Sequence, residues 1–287
     1  MQPVVLDVDR FPFLLKEARV GVRRAGRARR VERAIDQPPD IGRHHRRAEP
    51  TRLVRPGQGS ARERAEAGAT LVRAPPRGGI VDFDLTPEQE LVRKTARDFA
   101  DREIAPVAMR YDRAEEFPWP VLEKMKPLGF LGASIPEAYG GMGLDPISYC
   151  LVIEEIARAD SSIRGILSVN CSLVGTAIVK YGTEDQKQGW LPRLSAGEAI
   201  GCFALTEPGA GSDPGSLRMT AVRDGDSFVL NGSKMFITNG TVAGLALTFA
   251  NAEPSKGAKG VTAFLVPCDG EGFKATEIKG KLGLRAA

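Results

Sequence analysis

The sequence of 287 residues predicts an α+β protein. An all-α helical domain over residues 81–200 is followed by an antiparallel β-domain over 201–287, behind an arginine-rich stretch at 1–80. Three observations carry this reading. Helical periodicity with clear start signals begins at Thr86 and runs to about residue 200. Short apolar runs divided by turn residues take over beyond it. Between the two lies "ALTEPGAGSDPGS", residues 204–216, whose three glycines and two prolines forbid regular helix or strand.

Residues 1–80 carry 18 Lys and Arg against 9 Asp and Glu, and 17 of the 18 are arginine. From residue 81 onward the balance reverses to 22 against 27, with lysine and arginine equal. Stretches such as "VRRAGRARRVERA" show no sustained periodicity and too few large apolar residues to offset the entropy of ordering. The reading favoured here is DNA translated upstream of a start at Val81. A disordered tail, a targeting segment and a basic nucleic-acid arm stand as alternatives.

In "TPEQELVRKTARDFADREIAP" Thr86 is the N-cap, Pro87 takes the first helical position and Gln89 completes a capping box. Leu91, Val92, Thr95, Phe99 and Ile104 mark the expected buried face, and Pro106 ends or kinks the helix. "PWPVLEKMKPLG" is a short helix stopped at Gly129. "LDPISYCLVIEEIARAD" is capped by Asp145. "SIRGILSVNCSLVGTAIVKYG" is apolar nearly all round and should be central and buried. Thr183 and Gln186 form a second capping box. Glu154 and Glu155 face different directions, so they read as a solvated edge and a salt-bridge partner rather than a catalytic pair.

The expected strands are "IGCFALT", "SLRMTAVR", "SFVLNGSKMFIT", "LALTFA" and "GVTAFLVP". Asn231-Gly232 is expected to form a type I′ hairpin turn. No helical pattern interrupts these strands, which predicts antiparallel pairing.

The four cysteines, Cys150, Cys171, Cys202 and Cys268, lack CxxC spacing and have apolar neighbours, which predicts reduced core thiols in a cytoplasmic protein. No apolar run approaches the roughly 18 residues of a membrane span, so no membrane partner is expected. Both histidines, His44 and His45, lie in the doubtful segment. The rest therefore lacks histidine-based triads, HExxH zinc sites and any other metal-ligand cluster. "GAGSDP" begins like a dinucleotide fingerprint, but Pro214 occupies the last glycine position. A site without histidine or metal either binds only or borrows its chemistry from a cofactor. The glycine loop suits the second option, since its amides can approach an anionic or heterocyclic ligand closely.

"ALTEPGAGSDPGS", together with "PEAYGGMGLD", "EEIARAD", "LNGSKMFITNG" and "KGKLGLRA", resembles the acyl-CoA dehydrogenase family in order and spacing over about residues 82–287. "SVNCSL" and "GCFAL" look closest to its short-chain, butyryl-type branch. The resemblance implies a helical domain, a β-barrel-like middle domain that is truncated here, and a four-helix bundle that these residues lack. It implies FAD as cofactor, an acyl-CoA thioester as substrate, electron-transferring flavoprotein as electron acceptor, a homotetramer, and no nucleic-acid partner. Carried over residue by residue, Phe203, Leu205 and Thr206 face the flavin pyrimidine edge. Gly211 belongs to the same loop, and Ser212 reaches the pyrophosphate and the pantetheine of the substrate. Phe236 covers the ring where many relatives place tryptophan, with Ile237 beside it and Thr238 near flavin N5. The family's catalytic glutamate would lie in the bundle, so the resemblance assigns no base in this chain, predicts weak FAD retention at most and expects these residues alone to be inactive.

Overall fold

The computed structural model describes residues 16–17, 83–225 and 227–287. Apart from Lys16 and Glu17, the expectations for residues 1–80 fall outside the described residues. The helical part opens with α1 (Pro87–Phe99), where Thr86 Oγ1 accepts the Gln89 amide and Gln89 Oε1 accepts the Thr86 amide. The helix neither stops nor breaks before Pro106. Residues Ala100–Ile104 widen into a π-helical turn and the axis continues as α2 (Ala105–Ala114). A widened turn accommodates the proline ring and its missing donor.

The buried face expected for this helix is found in part, at Phe99 and Ile104, with Val92 packed against them. Ala96, Phe99, Ala100 and Ile104 are buried, whereas Leu91 is 65% exposed and Thr95 is exposed. Small alanines let α4 (Pro146–Ala159) lie close against α1, so Ala96 and Ala100 join Phe99 and Ile104 in the contact stripe while Leu91 and Thr95 fall outside it. Between them come α3 (Trp119–Met125), which leads through a 3-10 turn to Gly129 at φ +73°, and an irregular stretch to the Asp145 cap.

One long helix crosses the middle of the molecule as α5 (Ser161–Ser168), a π-helical stretch Val169–Gly175, and α6 (Thr176–Tyr181). Ile163, Ile166, Leu167, Cys171, Val174 and Ile178 on it are almost fully buried. Within its 21 residues an 18-residue window reaches a mean hydropathy of 1.5, so one segment is long and apolar enough to cross a membrane, contrary to expectation. More than half of that window is buried inside the protein, as befits a core helix. The last helix is α7 (Glu184–Ser195), with the Thr183–Gln186 capping box in place.

The sheet holds β1 (Lys16–Glu17), β2 (Gly201–Ala204), β3 (Thr220–Asp224), β4 (Ser227–Asn231), β5 (Leu245–Asn251) and β6 (Val261–Pro267). Its order is β1-β6-β5-β3-β4, with β2 also paired to β5. It is an open, mixed sheet rather than an antiparallel barrel. β1 runs parallel to β6, and β2 runs parallel to β5 with Gly201 opposite Leu245. The β3–β4 hairpin and its flanking loops serve as the long connection that brings the chain back to β5 in the direction of β2, a role expected of a helix. Asn231-Gly232 is not the hairpin turn. β3 and β4 turn at Gly225, φ +60°, and β4 ends at Asn231. Gly232 passes so close to Met219 that a Cβ there would sit 2.8 Å from the Met219 Cα. The segment after it, 232–238, is irregular rather than strand.

Alternation along β5 and β6 divides the core. Leu245, Leu247, Ala263 and Leu265 pack on Ile135, Val174, Ile178, Leu191 and Leu194 of the helical part. Ala246, Ala250, Phe264 and Val266 join Cys202, Ala221 and Leu230 on the opposite face. The cysteine expectation holds for Cys171 and Cys202, which are buried, and fails for Cys150, which is exposed on α4.

Candidate cofactor cavity

The face of the sheet turned away from the helices opens into a cavity of about 660 Å³, within the range of small-molecule sites. Cys202 and Ala204 of β2, Thr248 of β5 and Val266 of β6 line one side. The irregular segment 232–241 lines a second, and residues 272–284 a third. Phe236, Ile237 and Thr238 all line it. The Phe236 ring is 70% exposed, and its backbone sits at φ +59°, a left-handed conformation unusual for an aromatic residue.

The other expected site residues approach through the backbone. Lys234 Nζ donates to the Leu205 carbonyl at 3.0 Å, and the Met235 amide donates to the Thr206 carbonyl at 2.9 Å. These bonds join the start of the glycine loop to the 232–241 wall. The Phe203 side chain turns the other way and stacks with Phe249, ring centroids 5.1 Å apart, among the helix-facing residues. Gly211 and Ser212 lie on the exposed tip of the loop and do not line the cavity.

Two features of the site escaped the sequence reading. Glu207 and Lys234 form a buried ion pair at 2.8 Å, their side chains only 6% and 8% exposed. Glu207 also accepts the Arg218 and Met219 amides at 2.6 and 3.0 Å. Burial alone pushes the Glu207 carboxyl up, but Lys234 and the two amides outweigh it and hold it below the usual range. Burial pushes the Lys234 ammonium down, partly offset by Glu207. The only signal was Glu207 in a glycine loop charged otherwise only at Asp213, and a lone lysine in "LNGSKMFITNG". The second feature is Asn239, at φ +67°, buried and lining the cavity. Its Nδ2 donates to the Ile166 and Gly201 carbonyls, while its buried Oδ1 has no protein partner.

Chemically the cavity offers a wall of backbone, an exposed aromatic face, threonine hydroxyls and no metal-ligand cluster among the described residues. The Cys202 thiol is held far above its ordinary pKa by its hydrogen bond with the Cys268 thiol and by burial, so it is no nucleophile. The single carboxylate lining the cavity among the described residues is Glu277, exposed and paired with Lys279 at 2.7 Å. The predicted division of Glu154 and Glu155 holds. Glu154 is exposed, and Glu155 is buried with Arg97 and Arg158 against it.

Comparison with known proteins agrees with this architecture. Residues 86–198 match the family model of the acyl-CoA dehydrogenase N-terminal domain, and residues 202–287 match that of the middle domain. An acyl-CoA dehydrogenase of Bacillus subtilis is 45% identical over 200 residues, 70% of this chain and 53% of the relative. A short-chain-specific acyl-CoA dehydrogenase of Clostridium acetobutylicum is 44% identical over 207 residues, 72% of this chain and 55% of the relative. The crystal structure of a glutaryl-CoA dehydrogenase from Mycobacterium smegmatis in complex with FADH2 superposes with a TM-score of 0.66 at 41% identity, covering 70% of this chain and 51% of that one. Butyryl-CoA dehydrogenase from Megasphaera elsdenii superposes with a TM-score of 0.68 at 36% identity, covering 71% and 55%. The chain spans about half the length of these relatives. With two consecutive domain models matched in order, the chain belongs to the acyl-CoA dehydrogenase family, whose N-terminal and middle domains it carries.

Proposed function

We propose that the cavity is the flavin site of an FAD-dependent acyl-CoA dehydrogenase of the short-chain type. The observation that carries this reading is the lacing of Leu205–Glu207 to Lys234–Met235 along one wall of a 660 Å³ cavity. The polar lining suits a flavin: an exposed aromatic face, hydroxyls at Thr238 and Thr241, irregular backbone along 232–241, and an orphaned acceptor on Asn239. FAD, when bound, supplies the acceptor for the hydride that leaves the β-carbon of the acyl thioester. Phe236 and Ile237 would cover the ring, Thr238 would hydrogen-bond to it, and Phe203, Leu205 and Thr206 would offer backbone groups or a hydroxyl. The exposed Gly211–Ser212 tip reaches toward the pyrophosphate and pantetheine. Backbone donors fixed in advance stabilise a developing enolate oxygen without reorganisation.

Oxidation also needs a base within hydrogen-bond reach of the α-proton. Glu277 is exposed and ion-paired, so we assign no base among the described residues. Electron-transferring flavoprotein as acceptor, a tetrameric assembly and a cytoplasmic setting belong to the same reading. It is supported by similarity to short-chain enzymes and to a chain from a structural study of an electron transferring flavoprotein of Acidaminococcus fermentans.

The test is equilibrium dialysis of the purified 287-residue chain against FAD up to millimolar concentration, followed by butyryl-CoA and an artificial electron acceptor. Saturable FAD retention, weakened at least tenfold by Thr238→Val and unaccompanied by turnover, is the expected result. No retention by the parent chain overturns the cofactor reading, and turnover overturns the statement about the base.

A further inference from the structure

We propose that Glu207 and Lys234 act as a staple that orders the two cofactor-facing segments before any ligand arrives, which makes both of them positioning residues. Four bonds converge on this pair. Lys234 Nζ reaches Glu207 Oε1 at 2.8 Å and the Leu205 carbonyl at 3.0 Å. Glu207 takes the Arg218 amide on Oε2 at 2.6 Å and the Met219 amide on Oε1 at 3.0 Å. The pair therefore touches both ends of the glycine loop, 205–207 and 218–219, and the root of the 232–241 wall.

Among the described residues, the Met235 amide on the Thr206 carbonyl is a further bond between the loop and the wall, and it spans one end of the loop only. The tip of the loop makes only a local Glu207–Ala210 bridge and a turn at Asp213–Ser216. Both segments are irregular, so neither is held by a sheet ladder, and backbone amides there need a fixed partner to keep one conformation. A buried ion pair adds little net stability, because desolvation consumes the Coulomb gain. Its better-attested value is to select one arrangement among several, which is the requirement of a cofactor wall. The two ends of the pair are not equivalent. Removing Glu207 orphans two backbone amides and leaves a buried ammonium without its counter-ion, whereas removing Lys234 leaves Glu207 still holding Arg218 and Met219.

The significance for cofactor binding rests on the reading of the cavity as a flavin site, but the ordering of the segments does not. Amide hydrogen exchange on the full chain without cofactor separates the two. Glu207→Ala and Lys234→Met should speed exchange in 205–207, 218–219 and 233–239 at least tenfold, Glu207→Ala the more, while the β5–β6 ladder keeps its protection. The isosteric Glu207→Gln should give a smaller increase in the same segments. Unchanged exchange in those segments, or loss of protection spread evenly over the ladder even in Glu207→Gln, overturns the staple. FAD dialysis of the same variants should show at least tenfold weaker retention than the parent. If the parent itself retains no FAD, the flavin reading falls and the exchange result still decides the staple.

Discussion

Asn170 and Asn239 grip the same residue, one at its amide and the other at its carbonyl. Asn170 Oδ1 accepts the Gly201 amide at 2.8 Å, and Asn239 Nδ2 donates to the Gly201 carbonyl at 3.0 Å. Asn170 also donates to the Leu131 and Leu194 carbonyls, and Asn239 to that of Ile166. Two buried amides thus fasten the first residue of β2 to the long central helix and to the cavity wall, which couples the helical part to the site.

Replacing Asn170 with alanine takes its partner from the Gly201 amide and the Leu131 carbonyl, while the Leu194 carbonyl keeps the Gly197 amide at 3.2 Å. An unsatisfied buried group costs about 1–3 kcal/mol, and neighbouring losses are not additive. Asn170→Ala should therefore destabilise by on the order of 3 kcal/mol in chemical denaturation. Asn239→Gly keeps the left-handed backbone and removes only the side-chain bonds, so it should cost less than Asn239→Ala.

Glu155 is a buried carboxylate held by Arg97 at 2.5 Å and Arg158 at 3.1 Å. The Arg97 hydrogen bond, outweighing burial and assisted by Arg158, lowers its pKa from the ordinary 4.5. A depressed carboxylate contributes stability that is present above its unfolded pKa and lost as pH falls through its folded one. Glu155→Ala should cost about 2 kcal/mol at neutral pH. The gap to the parent should narrow as pH drops below about 4.5, as read from thermal midpoints across pH. A gap independent of pH would mean that packing, not charge, sets the cost.

Two glycines should respond oppositely to alanine. A Cβ on Gly141 would lie 2.0 Å from the Ile135 carbonyl oxygen, a backbone atom that cannot yield cheaply. Gly141→Ala should cost several kcal/mol or prevent folding. Gly189 lies inside α7 with nothing within 4 Å of such a Cβ, so Gly189→Ala should stabilise by roughly 0.5–1 kcal/mol.

Phe236 holds a left-handed backbone at φ +59° while exposing 70% of its surface. That conformation costs an L-residue about 1–2 kcal/mol, and little packing offsets it here. Phe236→Gly should raise the thermal midpoint and at the same time weaken FAD retention. Strain kept at a site that a single substitution relieves is the mark of a functional constraint. A variant that gains stability and keeps full FAD affinity would remove Phe236 from the site.

Local signals in the sequence were legible where short-range chemistry decides. Both capping boxes and the Asp145 cap occur as read, because each depends on residues three apart. Strand pairing was legible in part: β3–β4 and β5–β6 are antiparallel as read, but the parallel pairs were not foreseen. Parallel pairing of Gly201–Ala204 with Leu245–Thr248 depends on a return path that no local pattern records. The Asn231-Gly232 turn was overridden by the close pass of Gly232 against Met219, which holds it at φ +157°. At the cavity, Phe236, Ile237 and Thr238 were legible through the family resemblance. Residues 272–284, which close its third side, have no periodicity to read.

The most direct test of the central claim is amide hydrogen exchange of the 287-residue chain with and without millimolar FAD. The account predicts added protection confined to residues 203–207 and 232–241, saturating with FAD and abolished by Thr238→Val. No added protection, or protection centred on the exposed face of the helical part, would contradict the assignment of this cavity to the flavin.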